Sequence, residues 1–250
     1  MKSSWKTNSL LLLALGISGI ASADFVGLNI GANRWSPDLT GSFTSKNTGS
    51  SAINLKNDLG LKDHNSTNLS ISFEHPIPML PNVKYQGHDL SSSSTSNLGT
   101  AKTFNNNSYT GAINSTLDLS HNEVALYYEL LDNWINLDLG LDLRVFDGQV
   151  SISNNTTTDR IKISETIPML YLAARVDLPF TGFYVGANIQ KLSIGDNSID
   201  DSTLLVGYES KLGLGVEGGI KTFNIELNDT NNLNTNLEYD GLFVNGFYHF

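Results

Sequence analysis

The chain has 250 residues, with 15 Lys and Arg against 25 Asp and Glu for a net charge of −10, and it contains no cysteine. The acidic balance argues against nucleic-acid binding, and a chain without cysteine has no disulfide framework to hold it. Nowhere does an apolar run reach the roughly 18 residues of a membrane-spanning helix.

The first 23 residues read as a leader. Lys2 and Lys6 precede an apolar stretch from Leu10 to Ile20, and Ala21-Ser22-Ala23 forms a small-residue cleavage site. This is the pattern of a secretory signal peptide. Its apolar part is too short to span a bilayer. Cleavage after Ala23 leaves 24–250, read here as a single domain.

From Asp24 onward the dominant period is two. The clearest case is "WINLDLGLDLRVFDG": Ile135, Leu137, Leu139, Leu141, Leu143 and Val145 alternate with Asn136, Asp138, Gly140, Asp142 and Arg144. Strict alternation over this length fits a strand and no helix. The pattern recurs around 123–130, 169–178, 183–190 and 212–221. These runs approach the 9–11 residues of a membrane-spanning strand and exceed the usual strand length of soluble sandwiches.

In chain order, strands are expected at 24–33, 67–75, 83–90, 108–131, 134–146, 161–178, 183–194, 202–209, 212–227 and from about 235 to the end. Within 108–131 the apolar phase flips between Leu119 and Val124, which is read as a β-bulge. Longer polar stretches, among them "SSSSTSNLGTAKTFNNN", "SNNTTTD" and "GDNSID", alternate with the tight turns "PIPMLPN", "LDN", "PFTG" and "SKLG". Long loops at one end and short turns at the other are the arrangement of an outer-membrane barrel. The expected fold is therefore all-β: a transmembrane antiparallel up-and-down barrel of about ten strands, with eight or twelve as alternatives.

The alternating faces then sort themselves. Apolar residues face lipid, and Glu123, Glu129, Asp138, Asp142, Arg144, Arg175, Asp177, Glu217 and Lys221 face the lumen as a charge network. A barrel of this size lies near the limit at which side chains fill the interior, so the lumen is expected to be plugged. Trp35 and Trp134 fall near strand ends, where girdle aromatics sit. "GDNSIDDS", with Asp196, Asp200 and Asp201, is expected to be an exposed acidic turn, since its spacing matches no EF-hand. Asp63-His64 and His88-Asp89 could sit at the external rim as the Asp and His groups of a protease-like site, and Ser120-His121 is a couple for a lipid-modifying one. No catalytic, cofactor-binding or metal-binding residue is assigned.

The chain ends "GLFVNGFYHF". Tyr248 and Phe250 close an apolar face, and this end resembles the C-terminal signature of bacterial outer-membrane barrels. The resemblance implies that Tyr248 and Phe250 are read by the barrel-assembly machinery. "LYYELLDNW" and "GLGVEGG" also resemble segments of a family of small Gram-negative outer-membrane barrels of unassigned function. That likeness implies a fold and a location in the bacterial outer membrane, and no activity. The expected partners are outer-membrane lipid and the export and assembly machinery, with no nucleic acid and no cofactor. Three roles follow: a structural or surface-interacting barrel with a plugged polar lumen, a small cation-preferring channel, or a hydrolase at the outer rim.

Overall fold

The computed structural model describes residues 26–45, 51–230 and 233–250. The expected leader, 1–23, lies outside the described residues. The described chain forms thirteen strands: β1 (Gly27–Ser45), β2 (Ile53–Asn54), β3 (Ser66–Glu74), β4 (Asn82–His88), β5 (Ser91–Phe104), β6 (Asn107–Asp118), β7 (His121–Asp132), β8 (Ile135–Ser153), β9 (Thr158–Asp177), β10 (Phe183–Ile194), β11 (Asn197–Glu209), β12 (Leu214–Thr230) and β13 (Leu233–His249). Each strand pairs antiparallel with its neighbours, and β13 pairs with β1 from His249↔Asn29 to Leu233↔Ser45, closing the wall. The wall is a ten-stranded barrel. Closure leaves no edge at lipid depth, which is the condition for a sheet to cross a membrane.

The count of ten holds because β4–β5 and β6–β7 are each one strand interrupted by two residues. Asp118 pairs with Gln149 and His121 with Phe146 in one unbroken register along β8. Ser91↔Asp118 and His88↔His121 continue one register in the same way. The serine-rich stretch expected as a loop is thus the outer half of a barrel strand. It turns back through Asn105 and Asn106 with φ of 45° and 73°. Two successive left-handed residues make the tight hairpin turn that asparagine tolerates best among residues with a Cβ.

The expected bulge between Leu119 and Val124 is absent. Odd-numbered residues face inward on both sides of it: Tyr109, Ile113, Leu117 and Leu119 are buried in the interior, and so are His121, Glu123, Ala125 and Tyr127. What changes is which face is apolar. On β7, Leu126 and Tyr128 point out and are exposed, while Glu123 points in. On β6 the apolar residues point in. β8 does the same, with Leu141, Leu143 and Val145 outward and Phe146, Val150 and Ile152 inward. β12 repeats it, with Val216 and Ile220 outward and Phe223 and Ile225 inward. The irregularity on β7 lies lower, between Glu129 and Leu131.

The barrel therefore has two storeys. In the inner one the outside is apolar and the inside polar, which is the order for a wall in lipid. In the outer one the outside is polar and the inside apolar, which is the order for a wall in water. Trp35 belongs to this change. It was expected at the lipid girdle, yet it is 1% exposed, faces inward and donates its indole N–H to Gly241 O at 3.3 Å. Trp134 stands outward at the inner turn, 61% exposed, as a girdle residue does.

Residues 51–65 fold over the mouth between β1 and β5. Ile53, Leu55, Leu59 and Leu61 bury into the outer core, and Ser92 and Ser96 donate to Lys62 O and Asp58 O. Lys56 bridges Asp38 at 2.7 Å and Asp63 at 3.0 Å.

A tryptophan introduced at Leu141 in a Trp134→Phe background should be quenched strongly by brominated lipid. One introduced at Ser151, farther along the outward face of β8, should not. Equal quenching would mean that the whole strand is immersed.

Candidate functional site

Where the two storeys meet, charged side chains cross the lumen. Asp142 and Arg144 come from β8, Glu123 from β7, Asp201 from β11 and Lys221 from β12. Arg144 and Asp142 are 0% exposed. Arg144 Nη2 donates to Glu123 Oε2 at 2.9 Å. Arg144 Nη1 lies 3.1 Å from Asp201 Oδ2, and Nε 3.5 Å from Asp142 Oδ2. The latter two are ion-pair distances at angles too poor for hydrogen bonds. Lys221 reaches the same Asp201 oxygen at 3.1 Å. The Arg144 guanidinium lies over the Phe223 ring, 5.1 Å from its centre, and Lys221 Nζ lies 5.4 Å from the centre of the Trp35 ring. One arginine thus ties three carboxylates from three strands, and β8 and β11 stand on different sides of the lumen.

Two histidines complete the plug. His88 and His121 pair across β4 and β7 and stack with ring centres 4.6 Å apart. His121 Nδ1 donates to Leu119 O at 2.8 Å, which leaves Nε2 as a buried atom without a partner. His88 Nε2 sits 3.3 Å from Glu123 Oε2. His88, His121 and Glu123 hold donor atoms within 4.8 Å of one another, a set that could take a metal ion. Glu123 Oε2 is shared by Arg144 Nη2 and His88 Nε2, while His121 Nε2 has no partner.

The inner storey is open. A cavity of about 800 Å³ is lined by Glu74, Glu129, Asp138, Arg175, Asp177 and Glu217, among others. Arg175 stacks on Tyr184 at 3.6 Å and bridges Asp177 at 2.8 Å and Glu209 at 3.3 Å. Tyr184 donates to Glu217 at 2.8 Å, and His249 lies 3.1 Å from Glu209. Gly207 makes this cluster possible. It faces inward opposite Tyr184, and a side chain there would occupy the space of the tyrosine ring.

The residues expected in one lumen network therefore divide. Glu123, Asp142, Arg144 and Lys221 lie in the plug. Arg175, Asp177 and Glu217 line the inner cavity. Glu129 and Asp138 also line it, paired across β7 and β8. The plug depends equally on Asp201, which was expected in an exposed turn. Asp200 does face out, bound to Lys191 at 2.7 Å, but its neighbour faces in and is 2% exposed. Counting in twos back from Leu204 and Val206, both outward, would have placed Asp201 inside.

The rim pairs separate. Asp63 accepts the Leu39 N–H at 2.9 Å and the Lys56 ammonium. His88 lies inside the plug while Asp89 faces outward and is exposed. His121 Nδ1 is bound to the Leu119 carbonyl, and Ser120 Oγ accepts the Leu90 N–H. Tyr248 and Phe250 face outward, 37% and 48% exposed, and meet edge to face at 4.4 Å. Phe250 N–H donates to Leu28 O on the first strand.

The fold and its apolar belt define a transmembrane β-barrel of the outer-membrane class. No family model matches the chain, and no curated protein matches it by sequence. The outer-membrane protease OmpT of Escherichia coli is similar in structure, with 10% identity, a TM-score of 0.51, and 90% of this chain matched to 97% of that one. Ail of Yersinia pestis, the attachment invasion locus protein, gives 10% identity and a TM-score of 0.34 over 90% of this chain and 99% of that one. A Pseudomonas aeruginosa FadL homologue gives 8% and 0.38 over 90% of each chain.

Replacing Arg144 with Met strands three buried carboxylates. The expected loss is about 3–5 kcal/mol, visible as a lower temperature for the folded-to-unfolded shift on an unboiled gel. An unchanged transition would remove Arg144 as the organising charge. The loop clamp has a pH window. Burial alone would raise Asp63, but the Leu39 N–H and Lys56 bring it below the usual carboxylate range. The bonds to Asp38 and then Asp63 raise Lys56. The Asp63 contribution is present above about pH 4 and is lost as pH falls through its lowered value. The Lys56 contribution is present below about pH 10 and is lost as pH rises through its raised value. Both groups are partly exposed, so the effect is small. Amide protection factors in 51–65, taken against the intrinsic exchange rate at each pH, should be highest between these limits.

Proposed function

We propose that this protein is a closed, non-conducting outer-membrane barrel whose outer storey is its working part, presented at the cell surface for interaction. The observation that carries the reading is the plug. Arg144 and its three carboxylate partners fill the lumen at the base of an outer storey whose interior is apolar. A cation-preferring channel needs a continuous polar path, and the path of acidic groups in the inner cavity stops at this level. No enzymatic role is proposed, because the groups suggestive of rim catalysis are engaged elsewhere or point apart.

The likeness of "LYYELLDNW" and "GLGVEGG" to small Gram-negative outer-membrane barrels supports the same reading. So does the outward pair of Tyr248 and Phe250, which stands where assembly machinery could reach it. Export through a cleaved leader and insertion into the bacterial outer membrane are part of the proposal.

Reconstituted in a planar bilayer, the wild-type protein should give no unitary current steps at moderate voltage. Steady steps that change size or ion preference in Asp142→Asn would contradict the proposal and support the channel.

A further inference from the structure

Above the plug the outer storey is not filled. A cavity of about 270 Å³ remains, and nearly all of its lining is aliphatic or aromatic. Val150 of β8, Ile161, Ile163 and Ile167 of β9, Ile225 of β12 and Leu237 of β13 form its walls. The three β9 isoleucines pack against the outer core yet stay only half-buried, so part of each side chain lines the cavity. A cavity near 150 Å³ is enough for benzene, so this one accepts a body of roughly ten non-hydrogen atoms.

One carboxylate interrupts the apolar lining. Glu165 lies between Ile163 and Ile167 on the inward face of β9, directly across from Phe146. Glu123, Asp142 and Asp201, one level below, each have a cationic partner. Glu165 has no hydrogen bond or ion pair with any described residue. Its side chain is exposed to solvent on the open side of the chamber, so it stands as an unpaired negative charge at the rim of an apolar cavity.

The wall also has a way in. β10 pairs with β9 only as far as Lys191↔Leu170, and its hairpin turns at Gly195. β9 continues to Thr158 with β8 on one side and, among the described residues, no strand on the other. The free edge begins where the outward face of β9 changes from Leu170 to Thr166, Ser164 and Lys162, which places the notch above the lipid belt on the external side.

We infer that the outer chamber is a binding site for a small amphipathic amine, its apolar body seated among the β9 isoleucines and its ammonium paired with Glu165. The charge decides the class. A fatty acid or a phosphorylated lipid would bring a second anion beside Glu165, whereas an ammonium can pair with Glu165 at the rim while its apolar body enters the cavity. The inference goes beyond the closed-barrel reading and does not depend on conductance.

The test is calorimetric titration of the full barrel in nanodiscs, with empty nanodiscs as the blank. The probes are 2-phenylethylamine, 2-phenylethanol and 3-phenylpropanoate, similar in body and different in head. The amine should bind saturably, one per barrel, and about tenfold or more tighter than the carboxylate. Glu165→Gln should erase that preference and leave 2-phenylethanol unchanged. Ile163→Trp, which fills the chamber, should abolish both amine and alcohol binding. Both variants should keep the heat-dependent gel shift of the wild type. No saturable amine binding, a preference for the carboxylate, or an amine affinity unmoved by Glu165→Gln or Ile163→Trp in a folded barrel would each overturn the inference.

Discussion

The wall of this barrel has two faces throughout its length, and water changes sides part of the way along. A strand offers its side chains alternately to each face, so residue choice can respond to that change without any change of backbone. In lipid, the outward residues must be apolar and the inward ones may be charged. Beyond lipid, the outward residues must be polar and the inward ones can form an ordinary core. β8 shows both states in one run of 19 residues, from Leu141 outward to Ile152 inward. The hydrogen-bonded sheet makes this possible, because long strands such as β1, β8, β12 and β13 run through both storeys in one register.

The plug follows from the same change. At the boundary, the polar interior of the inner storey meets the apolar interior of the outer one, and the last charges of the first become buried. Arg144 and Lys221 sit at that level with Glu123, Asp142 and Asp201. Buried charges of one sign would not be tolerated, and neither would an arginine alone. Grouped, they tie β7, β8, β11 and β12 across the lumen. Aromatic rings at the base of the outer core, Phe223 and Trp35, face the cations. Whether the barrel conducts is therefore decided at one level of the structure, and whether it binds anything apolar is decided one level higher.

Most of the inner storey was legible in the sequence. Apolar residues at every second position from Ile135 to Val145, alternating with Asn136, Asp138, Gly140, Asp142 and Arg144, could only be a strand with one greasy face. The tight turns at 76–81 and 179–182 and the number of strands followed. The outer storey was harder to read, because its outward residues are Ser, Thr and Asn, which suggest loops. Ser91–Phe104 is the clearest example: four successive serines carry little strand propensity, and their place is set by pairing with β6. The flip near Leu119 is ambiguous in sequence alone, since a bulge and a change of solvent leave the same trace. Parity would have separated them only once the facing of His121 and Glu123 was known. Asp201 was within reach by counting, but Asp200 beside it disguised it as half of an acidic turn. Contacts such as Arg144 with Asp201 join strands that do not neighbour each other, and no local pattern announces them.

The central claim is that the interior changes from wet and polar to dry and apolar along the barrel axis. The chain has no cysteine, so a single cysteine can carry an environment-sensitive fluorophore. The direct measurement compares such a label at Ile163→Cys, inside the outer storey, with one at Asn245→Cys, inside the inner storey. Emission from the first should be blue-shifted, as from an apolar surrounding, and emission from the second should match a hydrated one. Equal, water-like emission from both positions in a folded barrel would contradict the two-storey account.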